Sequence, residues 1–138
     1  MAKAVRLRLA RQEVLRAASP PDVRVVLCES VLRRHLAPRA VMQAQLAALL
    51  AHSTHPTTSI RVLPLDAEAH LLLEGSASLL TAPNHVTVVC VEAYRTAGIL
   101  DDPEHVRAAE RAYDELTGEA LSIWRSADLI TEQMENLT

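Results

Sequence analysis

Two glutamates stand at the ends of apolar runs that are typical of buried strands. Glu29 follows VRVVLC (23–28), and Glu92 closes HVTVVCVE (85–92). Open sheets place binding crevices at strand ends. If these two strands are neighbours, the carboxylates share a site, and one of the pair acquires a raised pKa suited to acid–base catalysis. In the structural alternative each glutamate caps a helix start or pairs with an arginine, namely Arg33, Arg34 or Arg95.

His70 is the third acid–base candidate. Beside a carboxylate it would act as a general base or donate a hydrogen bond to a ligand; otherwise it is a hydrogen-bonded structural histidine. His52 and His55 could join His70 at a metal, but no pair has the i, i+4 spacing of a helical zinc motif. We therefore expect no metal. No GxSxG, Walker A or GxGxxG pattern occurs, and no cofactor is expected.

The two cysteines and one arginine are further candidates for ligand contacts. Cys90 shares a strand face with Glu92, because side chains alternate along a strand, whereas Cys28 points away from Glu29. Both thiols are expected to act as small buried hydrophobic groups, since a catalytic thiol needs a nearby base. Arg33, with Arg34 and Arg39, forms a basic patch that either meets an acidic partner or is a solvated helix face.

These side chains must be positioned by alternating helices and strands. Strands are predicted at 23–28, 60–63, 76–81 and 85–92. The first two are joined by a helical crossover and should be parallel. The last two are separated by Ala82-Pro83-Asn84 and should form a hairpin. Residues 93–100 are assigned to a linker.

Helices flank and connect these strands. A first helix over 3–18 should end at Ser19-Pro20-Pro21. Two helices follow the first strand, and two more follow Asp101. The predicted fold is α+β, with one mixed sheet of about four strands, a parallel pair plus a hairpin, covered by about five helices in a single domain over 1–138.

Composition excludes several classes of function. The chain has 138 residues, of which 49% are hydrophobic and 22% charged, and its net charge is −3. Non-specific nucleic-acid binding by this chain is therefore not expected. No apolar run is long enough to span a membrane, and the N-terminus lacks a secretory signal. Two cysteines without a disulfide framework fit a reducing cytoplasm.

The order and spacing of the segments resemble the DUF5753 family of antitoxin-type regulators of actinobacteria. The matching segments cover nearly all of the chain: RQEVL (11–15), VVLCESVLRR (25–34), VMQAQLAALL (41–50), IRVLPL (60–65), His70 with Gly75, VVCVE (88–92) and EALSIWRSADLI (119–130). The resemblance implies an effector domain that usually follows a helix-turn-helix domain. It also implies a small DUF397-like partner protein or a small-molecule effector. It carries over no catalytic residue.

Three departures from the family pattern bear on function. The helix-turn-helix domain is absent from this sequence. Cys28 stands where the family usually has an acidic residue. The family tends to place Phe near Ser76–Ser78 and Tyr near Cys90, and this chain has neither ring. Losing two rings either leaves a cavity for a changed ligand or is compensated by leucine packing.

Two functions remain open from the sequence. The first is a regulatory domain that binds a partner or a ligand without its own DNA-binding domain; its expected ligand contacts are Cys28, Arg33, Ser76, Ser78 and Cys90. The second is a small cofactor-free cyclase or isomerase acting on an apolar natural-product intermediate, with Glu29, Glu92 and His70 as acid–base groups. Strand edges need cover, which the first helix could supply within the chain or by exchange in a homodimer.

Overall fold

The computed structural model describes residues 2–68 and 75–137. Its helices are α1 (Ala2–Arg11), α2 (Ser30–Arg33), α3 (Arg39–Ser53), α4 (Pro103–Glu119) and α5 (Ile123–Glu135), and a 3-10 turn (Gln12–Arg16) follows α1. Its strands are β1 (Val23–Cys28), β2 (Thr58–Leu63), β3 (Ser76–Thr81), β4 (Thr87–Ala93) and β5 (Thr96–Leu100). The α+β class is confirmed. None of the described helices is long and apolar enough to cross a membrane.

The strands form two sheets, where the sequence predicted one. β1 and β2 pair in parallel, as expected from the helical connection between them. β3 and β4 form the predicted hairpin, and β5 adds to the other edge of β4. The single mixed sheet is wrong because the parallel pair β1–β2 and the antiparallel strands β3–β4–β5 form separate sheets. The assignment of residues 93–100 to a linker is wrong because β5 lies within them.

The second edge of β2 is occupied by Leu121, just before α5, and by Ser126 in the first turn of α5. The Val62 N–H donates to Ser126 Oγ at 2.9 Å, and the Val62 carbonyl accepts from the Leu121 N–H at 2.9 Å. These bonds satisfy the backbone groups that a third parallel strand would have used. Leu121 and the first turn of α5 thus cover this edge of the parallel sheet at Val62.

The main core lies between the parallel sheet and helices α3 and α5. α3 buries Met42 and Leu46 on its apolar face and half-buries Leu49 and Leu50, as their spacing predicts. These side chains pack with buried groups of neighbouring elements: Leu32, Ile60, Val62, Ile130 and Leu137. The repeat of leucine at helical spacing therefore determines which face of α3 is buried.

α4 connects the two sheets. It begins where the sequence predicts, with the Asp102 side chain accepting from the Glu104 N–H at 2.8 Å and Pro103 in the first turn. It packs against β2, β3 and β4. Val106 of α4 and Val89 of β4 are both buried. The face of the antiparallel sheet that carries Val89 is consequently the face turned toward helix α4.

Candidate functional site

Glu29 is a buried carboxylate with partners on both oxygens. It lies between β1 and α2 and is only 7% exposed. Its Oε1 accepts from Arg33 Nε at 2.8 Å, and the Arg33 guanidinium completes an ion pair at 2.6 Å. Its Oε2 accepts from the Leu65 N–H, just beyond β2, at 2.8 Å. Glu29 therefore ties the ends of both parallel strands to the start of α2.

These contacts determine the ionisation of Glu29. Burial removes water from the carboxylate and by itself raises its pKa. The Leu65 N–H, together with the hydrogen bond and the charge of Arg33, outweighs burial, so the pKa of Glu29 lies below its ordinary value of 4.5. Glu29 is consequently ionised at neutral pH. An ion pair with Arg33 requires the ionised form, whereas a catalytic acid must carry a proton to donate.

The Glu29 contacts predict a pH-dependent loss of stability in Glu29→Gln. We expect the free energy of unfolding to fall by about 1–3 kcal/mol at pH 7, because the charge-assisted bonds are weakened. A lowered folded-state pKa stabilises the fold above the unfolded-state pKa, and this contribution is lost as the pH falls through the lower folded-state pKa. Urea titrations from about pH 7 downward should therefore show the two proteins converging in acid.

Glu92→Gln is the matched control, since Glu92 is an exposed carboxylate. It should change the free energy of unfolding by less than about 0.5 kcal/mol. A Glu29→Gln deficit that is independent of pH, or one that Glu92→Gln reproduces, would contradict the role assigned to the ion pair.

Four of the sequence-predicted site residues meet on one face of the antiparallel sheet. Ser76 lies opposite Glu92, and Ser78 lies opposite Cys90, in the register of β3 and β4. Directly opposed residues of paired strands project to the same face. Since side chains alternate, this is the face opposite Val89. The hairpin register therefore gathers two hydroxyls, a thiol and a carboxylate.

β5 extends this face with apolar side chains. Cys90 lies opposite Ile99, and Glu92 lies opposite Ala97. Ile99 is 69% exposed, and Leu80, two residues beyond Ser78 on β3, is 55% exposed. We call the set the open face; its members are Ser76, Ser78, Leu80, Val88, Cys90, Glu92, Ala97 and Ile99. Its polar groups lie toward the end that carries Ser76 and Glu92, and its large apolar groups lie toward the other end.

The structure does not bring Glu29 and Glu92 together through strand pairing. β1 pairs with β2, and β4 pairs with β3 and β5. β1 and β4 are therefore not neighbours, as a carboxylate site shared by Glu29 and Glu92 would require. Glu29 is buried and paired with Arg33, as expected if it has a structural role. His70 lies outside the described residues.

Cys28 and Arg33 belong to the parallel sheet, apart from the open face in the pairing scheme. Cys28 ends β1 and accepts a hydrogen bond from Ser30 Oγ at 3.2 Å, and Arg33 is held by Glu29. The predicted ligand contacts thus divide between two places: Cys28 and Arg33 beside α2, and Ser76, Ser78 and Cys90 on the open face. The departure from the family pattern at Ser76–Ser78 falls on exposed positions rather than around a buried cavity.

A surface cleft of about 200 Å³ lies between the 3-10 turn and the connection from α3 to β2. His52 and His55 line it, together with Arg16. Arg16 is already paired with Glu13 at 2.9 Å, and His55 Nδ1 accepts from the Thr57 N–H at 3.3 Å. The cleft is smaller than the roughly 300–1,000 Å³ typical of small-molecule sites. Among the described residues, no three metal-binding side chains cluster.

Sequence reasoning missed the apolar part of the open face. Leu80 was read only as part of a strand, and Ile99 was placed in a linker. The sequence holds no clear signal for them. The two faces of β3, one with Ser76, Ser78 and Leu80 and the other with Ala77, Leu79 and Thr81, differ little in polarity, so the pattern does not indicate which face is covered.

Comparison with known proteins identifies the family. Neither the curated proteins nor the solved structures yield a match. The family model described as a domain of unknown function (DUF5753) matches residues 1–132. The chain therefore belongs to the DUF5753 family.

Proposed function

We propose that this chain is a regulatory interaction domain that binds a small DUF397-like protein on the open face of its antiparallel sheet. The observation that carries the proposal is the pair of large apolar side chains, Leu80 and Ile99, exposed on one side of a sheet whose other side packs on α4. Exposed apolar groups grouped on one face mark interaction surfaces more often than isolated ones do.

The form of the open face suits a protein partner. β3 and β5 are the edge strands of the described sheet and offer backbone N–H and C=O groups for strand addition. Ser78 and Cys90 are small, so they allow a partner side chain to approach between Leu80 and Ile99. Such a side chain would be surrounded by apolar contacts and desolvated, as interface hot spots are.

The other readings have less support. A small-molecule effector would need a larger site than the cleft beside His52, whose volume is about 200 Å³. A cyclase or isomerase would need Glu29 as an acid–base group, but Glu29 is buried and both of its oxygens are occupied, one by Arg33 and the other by the Leu65 N–H. A regulatory role in the cytoplasm is what the resemblance of the chain to antitoxin-type regulators implies. In that role, partner binding would set the activity of an associated helix-turn-helix protein.

The test is binding of the purified chain to a DUF397-type protein from the same source. Isothermal titration should give a saturable complex of one partner per chain. Combined Leu80→Asp and Ile99→Asp substitutions should weaken it about 100-fold or more, because two desolvated apolar contacts are replaced by charges. Leu36→Asp is the matched control, since Leu36 is exposed in the connection between α2 and α3.

Each outcome bears on the proposal. Loss of affinity confined to the open-face variant supports it. The proposal fails if the wild type does not bind, if the open-face variant binds as tightly as the wild type, or if Leu36→Asp weakens binding equally.

A further inference from the structure

Helix α1 has no covered face in a single copy of the chain. Every residue from Ala2 to Arg11 is exposed, including Val5 and Leu9, which lie one turn apart. Its main contact is with the 3-10 turn that follows it. A ten-residue helix without tertiary packing is marginal in water. α1 therefore requires a second surface to be stably helical.

The charges of the chain are separated along its length. α1 carries four cations, Lys3, Arg6, Arg8 and Arg11, and no acidic residue. Residues 12–100 carry seven acidic and seven basic side chains, and residues 101–138 carry ten acidic and three basic ones. The region of α4 and α5 is thus the part of the chain whose charge is opposite to that of the basic helix α1. The ion pairs among described side chains, Arg16–Glu13, Arg24–Asp22 and Arg33–Glu29, leave the α1 cations out.

The outer side of α5 carries an exposed surface suited to such a helix. Trp124, Asp128 and Glu132 are spaced four residues apart, so they lie on one side of α5. All three are exposed, and Trp124 is 83% exposed. Tryptophan is among the residues most enriched at interface hot spots, and its ring attracts arginine by cation–π interaction. This side of α5 thus offers the Trp124 ring as an apolar contact for Val5 and Leu9 of α1. It also offers two carboxylates as partners for the arginines of α1.

We propose that α1 of one copy docks on the Trp124–Asp128–Glu132 side of α5 in a second copy. Both surfaces belong to the same chain and both are exposed in one copy, so each copy can donate its α1 and receive the other. The result is a two-fold dimer with two identical contacts. The open face is not part of this contact, so the inference does not rest on the proposed partner binding.

The test is a charge exchange between the two surfaces, with sedimentation equilibrium as the measurement. One variant carries Arg6→Glu and Arg8→Glu on α1, and the other carries Asp128→Lys and Glu132→Lys on α5. The wild type should be dimeric at low salt. Each variant alone should dissociate about 100-fold more readily, because like charges then face each other in both contacts. An equimolar mixture of the two variants should form a dimer again, since each α1 then meets an α5 of opposite charge.

Controls separate this result from general damage. All four positions are exposed, so each variant should still unfold in one cooperative transition. Its circular dichroism should lose no more than the helix signal of the undocked α1, and the equimolar mixture should restore that signal. Glu92→Lys reverses a charge on the open face and should leave the dimer intact. The proposal is overturned if the wild type is monomeric or if either charge-reversed variant is as dimeric as the wild type. It is also overturned if the mixture stays monomeric or if Glu92→Lys loses the dimer.

Discussion

Replacing Ile130 with alanine is expected to lower the free energy of unfolding by about 2–5 kcal/mol. Ile130 is fully buried in α5, where it belongs to the core cluster shared with α3 and β2. Truncation removes buried methyl and methylene groups and leaves a cavity that the surrounding leucines fill only in part. Because domains of this size are stable by about 5–15 kcal/mol in total, the loss is a large share of the stability and should lower the melting temperature markedly.

Urea or guanidinium unfolding measures this loss, and the chain supplies a matched control. Ile99→Ala removes the same atoms from a side chain that is mostly exposed. It should change the free energy of unfolding by no more than about 0.5 kcal/mol. Equal losses in the two variants would contradict the position assigned to the core.

Replacing Ser126 with alanine is expected to cost about 1–3 kcal/mol although only one oxygen atom is removed. Ser126 and Val62 are both fully buried. Ser126 Oγ is the acceptor for the Val62 N–H at 2.9 Å, on the edge of β2 that faces away from β1. Alanine leaves that N–H buried without a partner, and the desolvation penalty of the donor is then paid in full.

Two measurements should agree on the Ser126 effect. Denaturant unfolding gives the loss of stability, and hydrogen exchange should show the Val62 amide to be less protected. Ser53→Ala is the control, because the Ser53 hydroxyl donates to the Leu50 carbonyl in the last turn of α3 and serves no strand edge. Its effect should stay within about 0.5 kcal/mol. An unchanged Val62 amide in Ser126→Ala would contradict the role of Ser126 as an edge acceptor.

The parts of the fold that could be predicted carry strong local signals. Met42, Leu46, Leu49 and Leu50 have the spacing of one helical face, and that face is the buried one. Asp102 and Pro103 are a typical helix start, and the Asp102 side chain does cap α4. The parallel pairing of β1 and β2 followed from the helices between them.

The division into two sheets could not be predicted because its causes are not local. β5 was missed because the turn before it, Tyr94-Arg95, lacks the Asn-Gly or Asp-Gly pattern of a tight hairpin. Arg95 nevertheless adopts a positive φ of 59° there. The edge of β2 is closed by Ser126, 64 residues further along the chain. Contacts at such separation leave no trace in hydrophobic periodicity.

The candidate site was predictable in composition and not in arrangement. Ser76, Ser78, Cys90 and Glu92 were chosen individually, and the hairpin register places them on one face. Glu29 was chosen for the same strand-end position as Glu92, but its pairing with Arg33 makes it structural. Residue type and strand-end position are the same for both glutamates, so only the fold distinguishes their roles.

Thiol alkylation of the DUF397-type complex tests most directly whether the open face is the partner surface. The chain carries two free cysteines: Cys90 on the open face and Cys28 at the end of β1. Iodoacetamide labelling followed by peptide mass spectrometry gives the rate at each thiol with and without partner. Partner binding should slow alkylation of Cys90 about 10-fold or more while leaving Cys28 unchanged, since protection follows burial of the thiol. A complex that forms with no change at Cys90 would contradict the assignment of the open face.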